Sequence, residues 1–211
     1  LNTVTGDGWD VAPEDLVFEN HHWGLKEDAA AIVLSGGASK RMGRDKATMS
    51  VRGRPLLSLI TDQLAPNFAA LMVSGSRDKL ACAGHVVEDL EPGRGPLMGL
   101  LSALRASDHE LNFVTTCDAP VIHLPFVRLM LSWIDEYDAV VPVFQGGRPQ
   151  PLFAVYRRSV APTIETLLAE GARAMFALLD HLNVRYVEVD ADWYDNLNTP
   201  EDAARFGRTE S

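Results

Sequence analysis

Apolar positions along the chain alternate between runs of strand length and stretches of helical spacing. AAAIVLSGG, from Ala29, is an apolar run closed by two glycines, the pattern of a strand buried on both faces that leads into a tight loop. PLLSLITDQLAP follows, with Pro55 at its start, Leu56, Leu57, Ile60 and Leu64 on one face and Pro66 as a stop, which predicts a helix. AALMVSG predicts a strand, HVVEDLEPGRGP a short strand and a loop, LMGLLSALRAS a helix, LNFVTTCDAP a strand ending in a loop, and LPFVRLMLSWIDEY a helix. In the second half DAVVPVF, PLFAVYR and NVRYVEV read as strands, VAPTIETLLAEG and RAMFALLDHL as helices, and Thr199-Pro200 as the start of a last short helix. This alternation predicts an α/β architecture: a mostly parallel sheet covered by helices on both faces, with ligands at the carboxyl ends of the strands. No internal repeat or low-complexity tract interrupts it.

The composition narrows the class. With 211 residues, 46% hydrophobic and 23% charged, the chain reads as one ordinary domain or a domain with a tail. No stretch reaches the roughly 18 to 20 apolar residues that a membrane span needs, and the basic-then-apolar order of a secretion signal is lacking. A cytoplasmic location is therefore expected; the first residue is Leu1, which leaves a removed leader open. Cys82 and Cys117 make neither a disulfide framework nor a structural zinc site, in keeping with a reducing compartment.

Charge placement matters more than the net value of −10. That value argues against a broadly basic nucleic-acid-binding face. Residues 1–28 hold seven acidic residues and one basic one, lack sustained periodicity, and are read as an acidic N-terminal extension, either disordered or docked through Trp9, Phe18 and Trp23. Residues 29–211 are read as the domain. Within it Lys40, Arg41, Arg44, Lys46, Arg52 and Arg54 put six of 19 basic residues into one short stretch, opposed there by Asp45. An anion is expected beside that loop.

LSGGASKRMGRDK, Leu34 to Lys46, joins a strand end to glycines and then to cations. Gly36 and Gly37 lack a Cβ, so their backbone can turn sharply and bring N–H groups to phosphate oxygens, while Arg41 and Lys46 neutralise charge that amides cannot. A Gly-rich turn with a solvated basic face is the plainer reading of the glycines alone. The segment fits neither GxxxxGK[ST] nor GxGxxG. Asp118 follows the strand LNFVTTC and precedes Ala-Pro; it is either a capping residue of a turn or a carboxylate suited to Mg²⁺. Asp89, after HVVE, is equally open to a loop role or a ligand role. Gly93, Gly95 and Pro96 form a bend before a helix, and Thr199-Pro200 follows Asn196 and Asn198 with the residue types of a helix start. Cys117 reads as a buried strand neighbour, since no adjacent His would activate it. The six histidines form no HExxH or paired ligand spacing, and no GxSxG elbow is present, so hydrolase and zinc readings lose support.

LSGGASKRMGRDKA resembles the LAGGxSxRMGxDKA signature of the MobA-like nucleotidyltransferases, and especially of the molybdenum cofactor guanylyltransferases. GRGPLMGLLSAL (Gly93 to Leu104) is similar to that family's GPLAGIxxAL, TTCDAP (Thr115 to Pro120) to its CDxP strand end, RPQPLFAVYRR (Arg148 to Arg158) to its QPLFALYR, and NLNTPED (Asn196 to Asp202) to its NxNTPEDL. The five motifs occur in family order between Ala31 and Phe206. Departures are Ser35 and Met98, each where alanine is usual, and the acidic extension.

The resemblance implies a three-layer, Rossmann-like, mostly parallel sheet of the nucleotidyltransferase type. It implies transfer of GMP from GTP to molybdenum-bound molybdopterin, with Mg²⁺ as cofactor and with molybdoenzymes or their chaperones as further partners, and without nucleic-acid or membrane partners. Lys46, Arg41 and Asp118 are the implied catalytic residues, Asp118 also the metal ligand. Leu34, Ser35, Gly36, Gly37, Ser74 and Asp89 join Lys46 and Asp118 around the nucleotide. Asn198, Asn196 and Gly95 are weaker candidates, and Arg148 and Gln150 would line the second substrate's side. Sister transferases using CTP or another phosphorylated acceptor share the signature, and a non-catalytic cofactor carrier is the reading from another class. Retention of Lys46 and Asp118 argues against the carrier.

Overall fold

The structure is a computed structural model that describes residues 16–19, 22–35, 50–51, 54–75, 84–117, 119, 121–144 and 147–189. Leu16–Glu19 (β1) and His22–Leu25 (β2) pair as an antiparallel hairpin, regular structure within the segment that sequence pattern reads as an extension. Glu27–Leu34 (β3) begins before the apolar run that announces it. Its first two residues continue the acidic stretch in sequence, yet both carboxylates are answered by the domain: Arg128 Nε donates to Glu27 at 2.9 Å, and Asp28 lies 3.2 Å from His109 Nδ1. Strand pairing, rather than charge, marks where the sheet starts.

The short pair Ser50–Val51 (β4) and Arg54–Pro55 (β5) precedes Leu56–Leu64 (α1), which buries the expected Leu56, Leu57, Ile60 and Leu64. Next come Phe68–Ser74 (β6), His85–Val87 (β7), Pro96–Ala106 (α2), Leu111–Thr116 (β8) and Leu124–Ser132 (α3). Helix α3 stops at Ser132, short of the apolar pattern that runs on toward Tyr137; Trp133 caps it and the backbone of Asp135 is left-handed, with φ 28°. The second half contributes Ala139–Phe144 (β9), Arg148–Pro149 (β10), Ala154–Arg157 (β11), Ala161–Ala169 (α4), Met175–Leu179 (α5) and Val184–Val189 (β12). The last helix expected, at Thr199-Pro200, lies outside the described residues.

Eight strands form the main sheet in the order β10-β9-β11-β8-β3-β6-β7, with β12 also paired to β9. β3 is central, parallel to β6 on one side and to β8 on the other, and β6 is parallel to β7. β11 runs antiparallel to both β8 and β9, so β9 points the same way as β8. The architecture is thus the expected mostly parallel α/β sandwich. Alternation along β3 explains it: Ala30, Ile32 and Leu34 enter the core layer shared with α2, α4 and α5, whereas Ala29, Ala31 and Val33 enter the layer shared with α1 and α3. A strand covered on both faces has no polar side to show, which is why AAAIVL is apolar throughout. Among the described residues no helix is long and apolar enough to cross a membrane.

Candidate active site

The chain leaves β3 toward β6 on one side and later crosses to β8 on the other, so strand order reverses beside the carboxyl end of β3. Open α/β sheets hold ligands in the crevice outside such a reversal. At that edge Leu34 is in register with Ser74 and Thr116, and Ser74 with Val87. Four strands therefore deliver Leu34, Ser74, Val87 and Thr116 to one row.

Polar groups tie the row together. Ser35 donates both its backbone N–H (3.0 Å) and its hydroxyl (2.5 Å) to the Ser74 carbonyl. The Ser74 hydroxyl, itself buried, donates to Asp89 Oδ1 at 2.9 Å. Gly75 N–H donates to Val87 O at 3.0 Å. Leu34, Ser35, Ser74 and Asp89, named from sequence, are thereby brought into one cluster. The Ser35 hydroxyl is thus directed back onto the sheet.

Gly95 caps α2 with φ 87°, a left-handed backbone that glycine adopts without cost, and Pro96 occupies the first turn with its fixed φ. A Cβ on Gly95 would lie 3.1 Å from the Arg173 carbonyl, so the loop packs closely on the α4–α5 connection. Arg94 donates from Nη2 to Leu168 O at 2.5 Å on the same side. Gly99, one turn into α2, faces the cluster: a Cβ there would stand 2.7 Å from Ser74 Oγ and 3.5 Å from both Asp89 Oδ1 and a Leu34 methyl. Sequence reading passed over Gly99 and also Ser102, whose buried hydroxyl donates to Met98 O and accepts from Leu90 N–H. The available signal was their place inside GRGPLMGLLSAL, as a glycine and a serine three residues apart in an otherwise apolar helix.

Arg148 opens β10 and Gln150 follows it, directly after the turn that leaves β9. Because β9 points the same way as β8, that turn opens at the same edge as Ser74 and Asp89, on the far side of β8. Gln150 N–H donates to Pro142 O at 2.8 Å and its side-chain amide to Arg148 O at 3.3 Å, while Arg148 is exposed and forms no ion pair among the described residues. Tyr156 supports the turn from below: it is fully buried and its hydroxyl donates to Pro151 O at 2.8 Å, with burial holding its phenol well above the usual range.

Gly36, Gly37, Arg41, Lys46, Asp118, Asn196 and Asn198 lie outside the described residues. The surroundings of Asp118 are on view. Cys117 and Ala119 are buried, Ala119 N–H donates to Thr116 O, and Ile122 N–H donates at 3.1 Å to the side chain of Gln63 on α1. Among the described residues no three carboxylate, histidine or cysteine side chains gather as a metal site.

The MobA-like NTP transferase domain matches residues 31–185. The chain belongs to that family and is a nucleotidyltransferase. It is 32% identical over 191 residues to a probable molybdenum cofactor guanylyltransferase of Bacillus cytotoxicus, covering 84% of this chain and 96% of that one. A relative with the same description from Bacillus cereus strain G9842 is 36% identical over 186 residues, covering 82% and 92%. Among solved structures, the molybdopterin-guanine dinucleotide biosynthesis protein A of Archaeoglobus fulgidus superposes with a TM-score of 0.72 at 26% identity, covering 84% of this chain and 95% of that one. The family's sheet is the one described above, and its GPLxG segment is the turn and first helical turn that carry Gly95 and Gly99.

Proposed function

We propose that the chain transfers GMP from GTP to molybdenum-bound molybdopterin, forming the guanine dinucleotide form of the molybdenum cofactor and releasing pyrophosphate. A terminal phosphate oxygen of the acceptor attacks the α-phosphorus of GTP; the new P–O bond forms as the bond to the β-phosphate oxygen breaks, and pyrophosphate leaves with those electrons. The observation that carries the reading is the cluster of Leu34, Ser35, Ser74 and Asp89 at the strand-order reversal, in a chain whose curated relatives at 32% and 36% identity bear that activity in their descriptions.

In this reading the strand end at Leu34 and Ser35 meets the base, Asp89 holds the nucleoside, and the amides of Gly36 and Gly37 receive the triphosphate. Arg41 and Lys46 neutralise phosphate charge. Arg148 and Gln150, at the same edge but beyond β8, serve the acceptor; Gly95 lets the α2 turn come close to it, and Asn196 and Asn198 attend the phosphates. No covalent nucleophile is required, since nucleotidyl transfer depends on alignment and charge neutralisation; the burial of Cys117 agrees with that.

Nucleotidyltransferases of this family use a divalent metal, and Mg²⁺ is the ion proposed here. A carboxylate and an amide oxygen are the donor types a hard cation prefers, and Asp118 comes in sequence just after a strand that ends in register with Leu34; Asn198 is the amide candidate. When bound, such an ion neutralises phosphate charge. The described neighbours that would support this role are Ala119, whose N–H donates to Thr116 O, and Ile122, whose N–H donates to the Gln63 side chain.

The test is mass spectrometry of products from purified protein, Mg²⁺, the molybdopterin acceptor and each of GTP, CTP and ATP, with pyrophosphate measured in parallel. A guanine dinucleotide with equimolar pyrophosphate is expected. A cytosine product would overturn the choice of base, and tight acceptor binding without any product would indicate a carrier.

A further inference from the structure

Asp89 is the carboxylate of the cluster, yet it stands in a loop beyond the last residue of β7, where backbone pairing no longer restrains it. Two hydroxyls compensate. Ser74, at the end of β6, donates to Asp89 Oδ1 at 2.9 Å; Ser102, on α2, accepts the very next amide, Leu90 N–H, at 3.0 Å while donating to Met98 O at 2.9 Å. Both are nearly inaccessible to solvent, at 1% and 4% exposure. Ser74 is fixed in turn by Ser35, which donates twice to its carbonyl.

Gly99 completes the arrangement. Its backbone is ordinary right-handed helix, where alanine is the better helix former, so conformational freedom does not explain a glycine there. Space does: a Cβ would stand 2.7 Å from Ser74 Oγ, closer than carbon and oxygen approach without bonding. An alanine would have to turn the hydroxyl away, and a hydroxyl turned away no longer meets Asp89.

We propose that Ser74, Gly99 and Ser102 are positioning residues for the nucleotide: Ser74 aims the Asp89 carboxylate, Gly99 keeps the space that this hydrogen bond needs, and Ser102 pins the following amide. The inference rests on the reading of Asp89 as a nucleotide-holding residue, and it assigns the Ser74 side chain to Asp89 rather than to GTP itself. A carboxylate released from a fixed donor must be reoriented each time ligand binds, which lowers affinity without altering the reacting groups. The consequence is weaker GTP binding in a chain that keeps its fold.

The experiment measures GTP affinity by calorimetry, with Mg²⁺ and without acceptor, for Ser74→Ala, Gly99→Ala, Asp89→Ala and the double variants, with circular dichroism as the check on folding. Loss of a hydrogen bond to a charged group predicts about tenfold weaker binding for Ser74→Ala and a similar loss for Gly99→Ala. Ser74→Ala combined with Gly99→Ala is expected to bind no more weakly than Ser74→Ala alone, because the oxygen that meets the new methyl is gone. Ser74→Ala is expected to add nothing in the Asp89→Ala background. A merely structural role for Gly99 would make the two losses add, and that result would overturn the proposal. So would unchanged affinity in Ser74→Ala when Asp89→Ala is weakened, leaving the role of Asp89 intact; unchanged affinity in Asp89→Ala would instead remove the reading on which the proposal rests. Ser74→Ala deletes a single oxygen, so it decides the matter even if Gly99→Ala does not fold.

Discussion

The two edges of the central sheet use the same residue types for opposite ends. At the amino edge arginines are consumed by the chain itself. Arg128 meets Glu27 and the Asn67 side chain; Arg157 meets Glu110 and the carbonyls of Tyr137 and Asp135; Arg158 meets the Ser107 carbonyl. At the carboxyl edge neither Arg148 nor Asp89 forms an ion pair among the described residues, and the Asp89 carboxylate is held by a neutral serine. Charges answered inside a fold stabilise it; charges aimed but left unneutralised can recognise a ligand. The motif RPQPLFAVYRR spans both edges: its first arginine lies at the open edge and its last two at the closed one.

The comparison breaks most readily at the basic loop. Lys46→Ala should lower turnover by about 10² or more, the scale of removing one group that stabilises developing charge, with an unchanged circular dichroism spectrum; near-normal pyrophosphate release would sink its assignment. At the amino edge Arg157→Ala should cost about 1–3 kcal/mol of stability through lost charged hydrogen bonds, read as a lower urea midpoint, while KM for GTP stays constant. A change in GTP affinity there would mean that the edges are not functionally separate. Arg148→Ala sharpens the contrast from the other side: KM for the acceptor should rise by about five- to tenfold, as for one charged contact, with calorimetric GTP affinity and urea midpoint unmoved.

The smallest effect concerns Tyr156. Burial raises its phenol above the ordinary value near 10, so the folded state retains the proton that the unfolded chain releases. Its contribution is present in full below about pH 10 and is lost as pH rises above it, by up to about 1.4 kcal/mol per pH unit. Tyr156→Phe should therefore show a shallower decline in urea midpoint between pH 10 and 11 than the parent chain; equal slopes would contradict the buried phenol.

Local pattern carried most of the fold. Apolar runs and proline stops located β3, β6 to β9, β11, β12 and helices α1 to α5, because a strand covered on both faces and a helix covered on one leave distinct periodicities; the two-residue strands β4, β5 and β10 are too short to leave one. The boundaries that pattern missed were set by tertiary partners: Glu27 looks like part of an acidic tail until Arg128 is seen beside it, and α3 ends before its apolar stretch does. Of the site, Leu34, Ser35, Ser74 and Asp89 were legible as residues at or just beyond strand ends, whereas Gly99 and Ser102, though inside GRGPLMGLLSAL, had no legible role, since a glycine inside a helix has no local explanation when its reason is an oxygen on another strand.

The amino-acid sequence by itself determined the α/β class, the order of the main elements and the family, because periodicity and short motifs act over neighbouring positions. Only the tertiary structure decided which arginines of one motif face the open edge, which serine aims Asp89, and why residue 99 must lack a side chain. Those facts depend on strand direction and on distances of about 3 Å between segments remote in sequence, the range over which hydrogen bonds form.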